Sequence, residues 1–513
     1  MTLGDEDMSE SVQIGKFTLE SLTTGMYEQP LIIYREYLQN AADSLEAAQR
    51  LGLVDEKTMM VQVRVNTDER LIEIQDNGAG ISQKIAASVL MSVGKSPKVH
   101  TESRGFRGIG RLGGISYCDK LVFETSALGE EVATKVTYDC ALLKRLLSPG
   151  ENTDMSMAEV ISKVCSLETI PVPTDEHYFA VRLFDVDDRT ELLDPEKVKN
   201  YLGQIAPVPY SPHFKMLSDH IYAFLSEYGV KLTEFPVQVS FDNEFPRPLT
   251  KPFSRRYFAG RGKSQEPETI YEIEKIVLKD SNNNLLALGW YGKGDWNGTL
   301  TDPSIRGLRL RMGNIQIGGE DTLDQVFRQS RFNGWCQGEI FVVSDDLIPN
   351  ARRDNFEQNS AYFELIKAIR PITDQITKQL TEASRARNDP TAKMIENTKS
   401  VIRQVTGQQT KGFNSQTEAQ QAVILVQTSL DKLKKTPAKK PELEQKKQEA
   451  VSELEAILEG MDEVTPYKRD RLKGILSKKE MKVFNLAADI LTLYVDDDLL
   501  NVIIDNIIDE LLK

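Results

Sequence analysis

"EYLQNAADS", residues 36–44, places an acid, an amide and a second acid inside a helix-forming stretch. Each helical residue advances by about 100°, so Asn40 and Asp43 come round to about 40° and −20° from Glu36. The three polar groups share one narrow stripe. Leu31, Ile32, Ile33, Leu38, Ala41 and Ala42 take much of the remaining circumference, so the helix is expected to pack on several sides. A solvated face would satisfy the same spacing. Two glycine-bearing motifs further along the chain bear on the choice.

"IQDNGAGIS", residues 74–82, closes an alternating, strand-like run. Asp76 stands at the strand end, and Gly78 and Gly80 let the backbone turn sharply and approach a ligand closely. A carboxylate held there suits the exocyclic amine of an adenine. Alone, this pattern is common in turns after strands. A third element, "RGFRGIGRLGG" at 104–114, exposes backbone N–H groups at Gly105, Gly108 and Gly110. A concave row of such groups binds phosphate, and Lys95, Arg104, Arg107 and Arg111 add positive charge around it. It lacks the GKS or GKT ending of a Walker loop. A polar stretch precedes it, whereas a dinucleotide fingerprint opens directly from a strand.

The chain has 513 residues, which favours two to four domains. With 40% hydrophobic and 27% charged residues it can bury sizeable cores. A formal charge of −14 weighs against a protein that coats nucleic acid, which needs a basic surface or stripe. Cys118, Cys140, Cys165 and Cys336 are scattered and form no CxxC pair, so reduced thiols are expected in place of a zinc site or disulfide framework. The acidic opening lacks a signal-like pattern, and no apolar run approaches the roughly 20 residues of a membrane span. A cytoplasmic location is expected.

Along the chain, "MMVQVRVN" and "RLIEIQDN" alternate like the two strands of a hairpin. "KLVFETSA", "EVATKVTYD" and "YFAVRLFDV" read as further strands, and residues 145–175 as an insertion or long loop. The helical "DPEKVKNYLGQI" closes a first domain, set at 1–201. Residues 202–375 mix strands such as "VQVSFD", "LLALGWYG" and "GEIFVVSDD" with a long helix, giving a second α+β domain. From 376 to 513 strand signals vanish. Val423, Val426, Leu430 and Leu433, then Leu443, Ala450, Leu454 and Ile457, keep helical spacing on either side of "TPAKKPE", as in an antiparallel hairpin. The tail "DDLLNVIIDNIIDELLK" is amphipathic with an acidic polar face, which suits a partner or core surface better than a membrane.

The order of the three motifs, all within some eighty residues, resembles the Bergerat-fold ATPases shared by gyrase, heat-shock-protein-90 chaperones, histidine kinases and MutL. The resemblance implies an α+β architecture: an N-terminal Bergerat α/β sandwich, a transducer (middle) domain and an all-α C-terminal region. It implies ATP and Mg²⁺ as cofactors. Glu36 would be the general base for the attacking water, and Asn40 the Mg²⁺ ligand, with Asp43 supporting the same face. Asp76 would take the adenine amine, with Gly78 and Gly80 shaping the pocket. Gly105, Gly108 and Gly110 would form the phosphate lid, with Lys95 close by. The family often has a threonine on a later strand beside the adenine, and "HYFAVRLFDV" has none at the matching place; Thr125, Thr134 and Thr137 lie on other candidate strands, so that position stays unassigned.

"GEIFVVSDDLIPNARRDNFE", residues 338–357, is similar to the middle-domain stretch of heat-shock-protein-90 chaperones. By that likeness Arg353, or its neighbour Arg352, would reach the γ-phosphate; a surface arginine paired with Asp354 or Glu357 is the plainer alternative. The resemblance spans roughly residues 15 to 370, and the C-terminal third does not match the chaperone dimerisation domain. The expected function is a chaperone-like ATPase, homodimeric, with client or effector proteins engaged through the C-terminal helices. The alternative is an ATP-driven clamp or switch acting with nucleic acid or an effector, for example in a bacterial defence system.

Overall fold

The computed structural model describes residues 29–93, 110–148, 155–261, 264–388, 390–414, 416–438 and 441–463, with shorter stretches to 512 and two isolated positions near the start. The hairpin read from alternation is β1 (Val61–Asn66) and β2 (Leu71–Asp76), antiparallel from Val61↔Asp76 to Asn66↔Leu71. Val61, Val63, Val65, Ile72 and Ile74 are buried on one face, as a period of two requires. Against that face packs helix α1 (Ile32–Arg50), which carries Glu36, Asn40 and Asp43.

β3 (Lys120–Ser126), β4 (Val132–Asp139), β5 (Cys165–Pro171), β6 (Tyr178–Phe184), β7 (Val237–Phe241) and β8 (Arg247–Pro248) complete an eight-stranded sheet in the order β5-β4-β3-β6-β2-β1-β7-β8. Every pairing is antiparallel except β1 with β7, where Val61 stands beside Val237 and Val65 beside Phe241. The first sheet therefore draws two strands, β7 and β8, from beyond residue 201. Helices α2 (Gln83–Leu90) and α3 (Cys140–Leu147) share the core beneath it.

The stretch 145–175 is not the long loop expected. Residues 149–154 lie outside the described residues, but helix α4 (Met157–Val164) and the edge strand β5 come directly after them. α4 starts with a reciprocal cap: Glu159 N donates to Ser156 Oγ at 3.3 Å, and Ser156 N donates to Glu159 Oε2 at 2.8 Å. The S-x-x-E signal is present in the sequence, at the end of the polar, loop-like run "SPGENTDMS".

Helix α5 (Pro195–Ile205), capped by Asp194, and helix α6 (Lys215–Glu227) lead into the second half. After a small hairpin, β9 (Arg256–Arg261) with β10 (Ser264–Thr269), five strands form a second sheet. They are β11 (Glu272–Lys279), β12 (Leu285–Lys293), β13 (Gly307–Met312), β14 (Ile315–Ile317) and β15 (Gln337–Val342), ordered β11-β12-β15-β13-β14. All six residues of β15 are buried, because both faces are covered. Leu217, Ile221 and Phe224 of α6 pack with Leu288, Trp290 and Phe341 on one side. Leu365, Ile369 and Ile376 of helix α7 (Ser360–Asn388) pack with Leu308, Leu310 and Ile340 on the other.

The helical region holds α8 (Pro390–Lys411), α9 (Gln416–Lys435), α10 (Pro441–Glu463), α11 (Lys478–Leu491) and α12 (Asp497–Leu511). The expected hairpin, α9 with α10, is joined by α8, which touches both. The amphipathic tail, α12, buries Leu500, Ile504 and Ile508 and packs on α11 and back on α6. Its apolar face belongs to the fold.

At the centre of the second sheet Glu339 is fully buried among charges. Arg311 Nε donates to it, Lys251 Nζ lies 3.2 Å away and the Tyr210 hydroxyl donates to its Oε2. Arg311 also donates to Gln204 O on α5 at 2.7 Å, tying this sheet to the first half. Burial and the neighbouring Arg311 pull the Lys251 ammonium down to about 7. Burial pushes the Glu339 carboxyl up, but Arg311 and Lys251 outweigh it and hold it below the usual range. Removing one member of such a cluster strands the others without compensation. Glu339→Ala should destabilise the fold by about 3–5 kcal/mol, read as a lowered denaturation midpoint in urea. An unchanged midpoint would show that Arg311 and Lys251 find other partners.

Candidate functional site

α1 is buried along most of its length, so its polar stripe lies inside the molecule. Glu36 is 8% and Asp43 5% exposed, whereas Asn40 is partly exposed. The solvated-face alternative does not describe this helix. Glu36 Oε1 is buried with no hydrogen-bond partner, and two guanidinium groups flank it: Arg35 Nε at 4.0 Å and Arg353 Nε at 3.9 Å. The carboxylate is balanced by charge at a distance slightly too long for hydrogen bonding.

The end of the glycine-rich segment reaches the same carboxylate. A 3-10 helix spans Gly110–Tyr117, and a Cβ built on Gly110 would fall 2.0 Å from Glu36 Oε2. A side chain there would have to displace the Glu36 carboxylate. Gly114 N donates to the Tyr37 hydroxyl at 3.1 Å, which itself donates to Arg111 O at 3.2 Å, fastening the segment to α1. Burial pulls the Arg111 guanidinium below its ordinary value, and its side chain donates to Ser92 O. Lys95, Gly105 and Gly108, with Arg104 and Arg107, lie outside the described residues.

Asp76 is 2% exposed at the last position of β2, where Gly78 N donates to its Oδ1 at 2.9 Å. The turn after it is wedged against α1: a Cβ on Gly78 would meet Ser44 Oγ at 2.1 Å. Gly80 has φ of +64°, and a Cβ there would fall 1.9 Å from Ser126 O. Both glycines are demanded by space.

Two residues left without a role by the sequence lie beside these groups. Asp76, Phe179 and Thr125 stand opposite one another on β2, β6 and β3, so their side chains share one face. Thr125 Oγ1 accepts from Ile81 N at 2.8 Å and donates to Tyr178 O at 2.9 Å, pinning the turn to the sheet. It lies on β3, an earlier strand than the "HYFAVRLFDV" stretch in which the resemblance leads one to expect a threonine. Arg35 is the second. It is buried and donates to Arg353 O at 3.0 Å and to Arg352 O at 2.6 Å.

Arg353 thus sits at the junction with the second half. Its own backbone is left-handed, φ +56°, in a tight loop closed by Asn350 N donating to Asn355 O at 2.9 Å. Gly318 N donates to Arg353 O at 2.9 Å from below. An unfavourable φ in a non-glycine residue persists only when its surroundings over-determine it. Arg352, by contrast, is exposed. Because Arg35 supplies two of the clamps, Arg35→Ala should speed amide hydrogen exchange across residues 349–356 by about tenfold or more. Unchanged exchange would show that the loop holds itself.

A family model described as "Histidine kinase-, DNA gyrase B-, and HSP90-like ATPase" matches residues 34–159, which include α1, the Asp76 turn and the glycine-rich segment. Similar curated proteins are named chaperone protein HtpG. The one from Halalkalibacterium halodurans is 28% identical over 132 residues, covering 23% of this chain and 21% of the relative. Those from Acinetobacter baylyi and Sulfurovum sp. are 24% and 25% identical over 216 residues, covering 39% and 38% of this chain. The matched stretch spans 30% and 31% of those two relatives' length, so less than a third of each is represented. The polar stripe, the carboxylate-ended strand and the end of the glycine-rich segment come together within the stretch that matches the Bergerat-type ATPase family model, and the chain is similar there to HSP90-type chaperones.

Proposed function

We propose that this protein binds ATP with Mg²⁺ and hydrolyses it, using nucleotide state to close its two halves on each other as a chaperone-like, homodimeric machine. The observation that carries the reading is Glu36: a buried carboxylate with one oxygen lacking a hydrogen bond, beside an arginine from the second half. A carboxylate so placed can accept a proton from water, and the flanking guanidinium groups can stabilise negative charge that develops nearby.

The donor set fits the cofactors. Asn40 offers an amide oxygen for Mg²⁺ on the same stripe, and Asp43 supports that face. When bound, Mg²⁺ would neutralise charge on the phosphates. Asp76 orients the base through its carboxylate. Gly110 ends the phosphate lid to which Gly105, Gly108 and Lys95 would contribute. Arg353 senses the γ-phosphate and passes nucleotide state to the second sheet. The relatives' printed name, chaperone, supports a protein client; in this reading the C-terminal helices engage it. Among the described residues no helix is long and apolar enough to cross a membrane.

Glu36→Ala should retain ATP binding and lose about 10²–10⁴-fold in turnover. Steady-state hydrolysis beside calorimetric binding tests this, and turnover at the wild-type rate would remove Glu36 as the base. Asp76→Asn should weaken ATP binding by about 10- to 100-fold, since a charge-assisted hydrogen bond is lost at a buried position. Undiminished affinity would refute the adenine assignment. Suppression of aggregation of a heat-unfolded test protein, dependent on ATP and absent in Glu36→Ala, would support the chaperone role.

A further inference from the structure

The peptide unit joining Gly78 to Ala79 is gripped at both ends. Ala79 N donates to Ser44 O on α1 at 3.2 Å. The Gly78 carbonyl lies 2.8 Å from His177 Nδ1, immediately before β6. A carbonyl can only accept, so Nδ1 carries the proton. One side of the turn is tightly packed, since a Cβ on Gly78 would collide with Ser44. The other side is not: Asn77 and His177 line an open cleft of about 580 Å³, with Gln75, Glu124 and Tyr178. Packing limits movement of the turn towards α1, and hydrogen bonds fix it on the cleft side. Asn77 supplies two, accepting from Met60 N at 2.7 Å and donating to Thr58 O at 2.8 Å. His177 supplies the one that reaches the glycine itself.

We infer that His177 is a positioning residue for base recognition: its Nδ1–H holds the Gly78 carbonyl from the side opposite α1 and so fixes the peptide on which the Asp76 turn depends. The inference rests on the nucleotide reading proposed above. His177 touches no substrate. It acts on the residue whose N–H orients the Asp76 carboxylate, 2.9 Å away, and site geometry of this kind must be held to about half an ångström.

Three variants separate a hydrogen bond from simple filling of space. Asn places its amide nitrogen one bond beyond Cγ, as His does Nδ1; Leu spans the same distance without a donor; Ala removes both. Affinities for ATP and for ITP, whose base lacks the exocyclic amine, would be measured with kcat, KM and the melting temperature of each variant. His177→Leu and His177→Ala should weaken ATP binding about 3- to 10-fold, with kcat at saturation unchanged, and His177→Asn by less than about twofold. ITP binding should change less, so discrimination between the two nucleotides falls. Equal ATP affinity in His177→Leu and wild type would overturn the inference. So would His177→Asn behaving like His177→Leu, or equal losses for ATP and ITP. A wild-type protein that binds neither nucleotide would overturn the nucleotide reading and this inference together, an outcome distinct from the other three.

Discussion

A carboxylate held among two guanidinium groups inside the protein constrains the rest of the structure. Glu36 can be buried only if positive charge comes within a few ångströms, because an isolated ionised group in low dielectric is prohibitively costly. Arg35 supplies one charge from the same helix, but Arg353 must be brought from more than 300 residues away. That requirement explains why a tight loop with a left-handed arginine is tolerated, why Gly318 must lie beneath it, and why Arg35 spends its donors on backbone carbonyls. The junction between the two halves is therefore electrostatic at its centre.

The second sheet meets this junction from behind. Its buried cluster of Arg311, Lys251 and Glu339 is joined to α5 through Gln204 O, and α5 comes after the last strands of the first half. Displacement of the Arg353 loop and displacement of α5 are thus both felt by one sheet covered on its two faces by helices. A sheet packed in this way moves as a body, because close-packed interiors transmit strain with little local yielding.

Much of this is legible in the sequence where a local period governs. The polar stripe of α1 is a consequence of 3.6 residues per turn, and the β1–β2 hairpin of a period of two; neither needs distant information. Glycines 78, 80 and 110 are legible as close approaches, although what they approach is not. The remainder depends on long-range placement. Arg35 lies off the stripe, and its partners are carbonyls, which no side-chain pattern reveals. Thr125 and His177 come beside the Asp76 turn only through the register of β3 and β6 against β2. The cap at Ser156 is local and readable, yet a loop-like composition hides it. The tail helix α12 shows its amphipathic face plainly, but only the fold shows that α6 and α11 cover it.

The parallel pairing of β7 with β1 bears on how the first sheet can be handled as a fragment. A chain cut at residue 201 keeps β1 but loses its neighbour. The backbone N–H and C=O groups that face Val237–Phe241 are then bare along a strand whose alternate residues are Val61, Val63 and Val65. Such an edge is a template for strand addition from another molecule. The native edge is β8, two residues long and containing Pro248, which offers no such template. A soluble fragment needs to run past residue 248, and its tendency to self-associate is set by whether that short, proline-bearing strand is included.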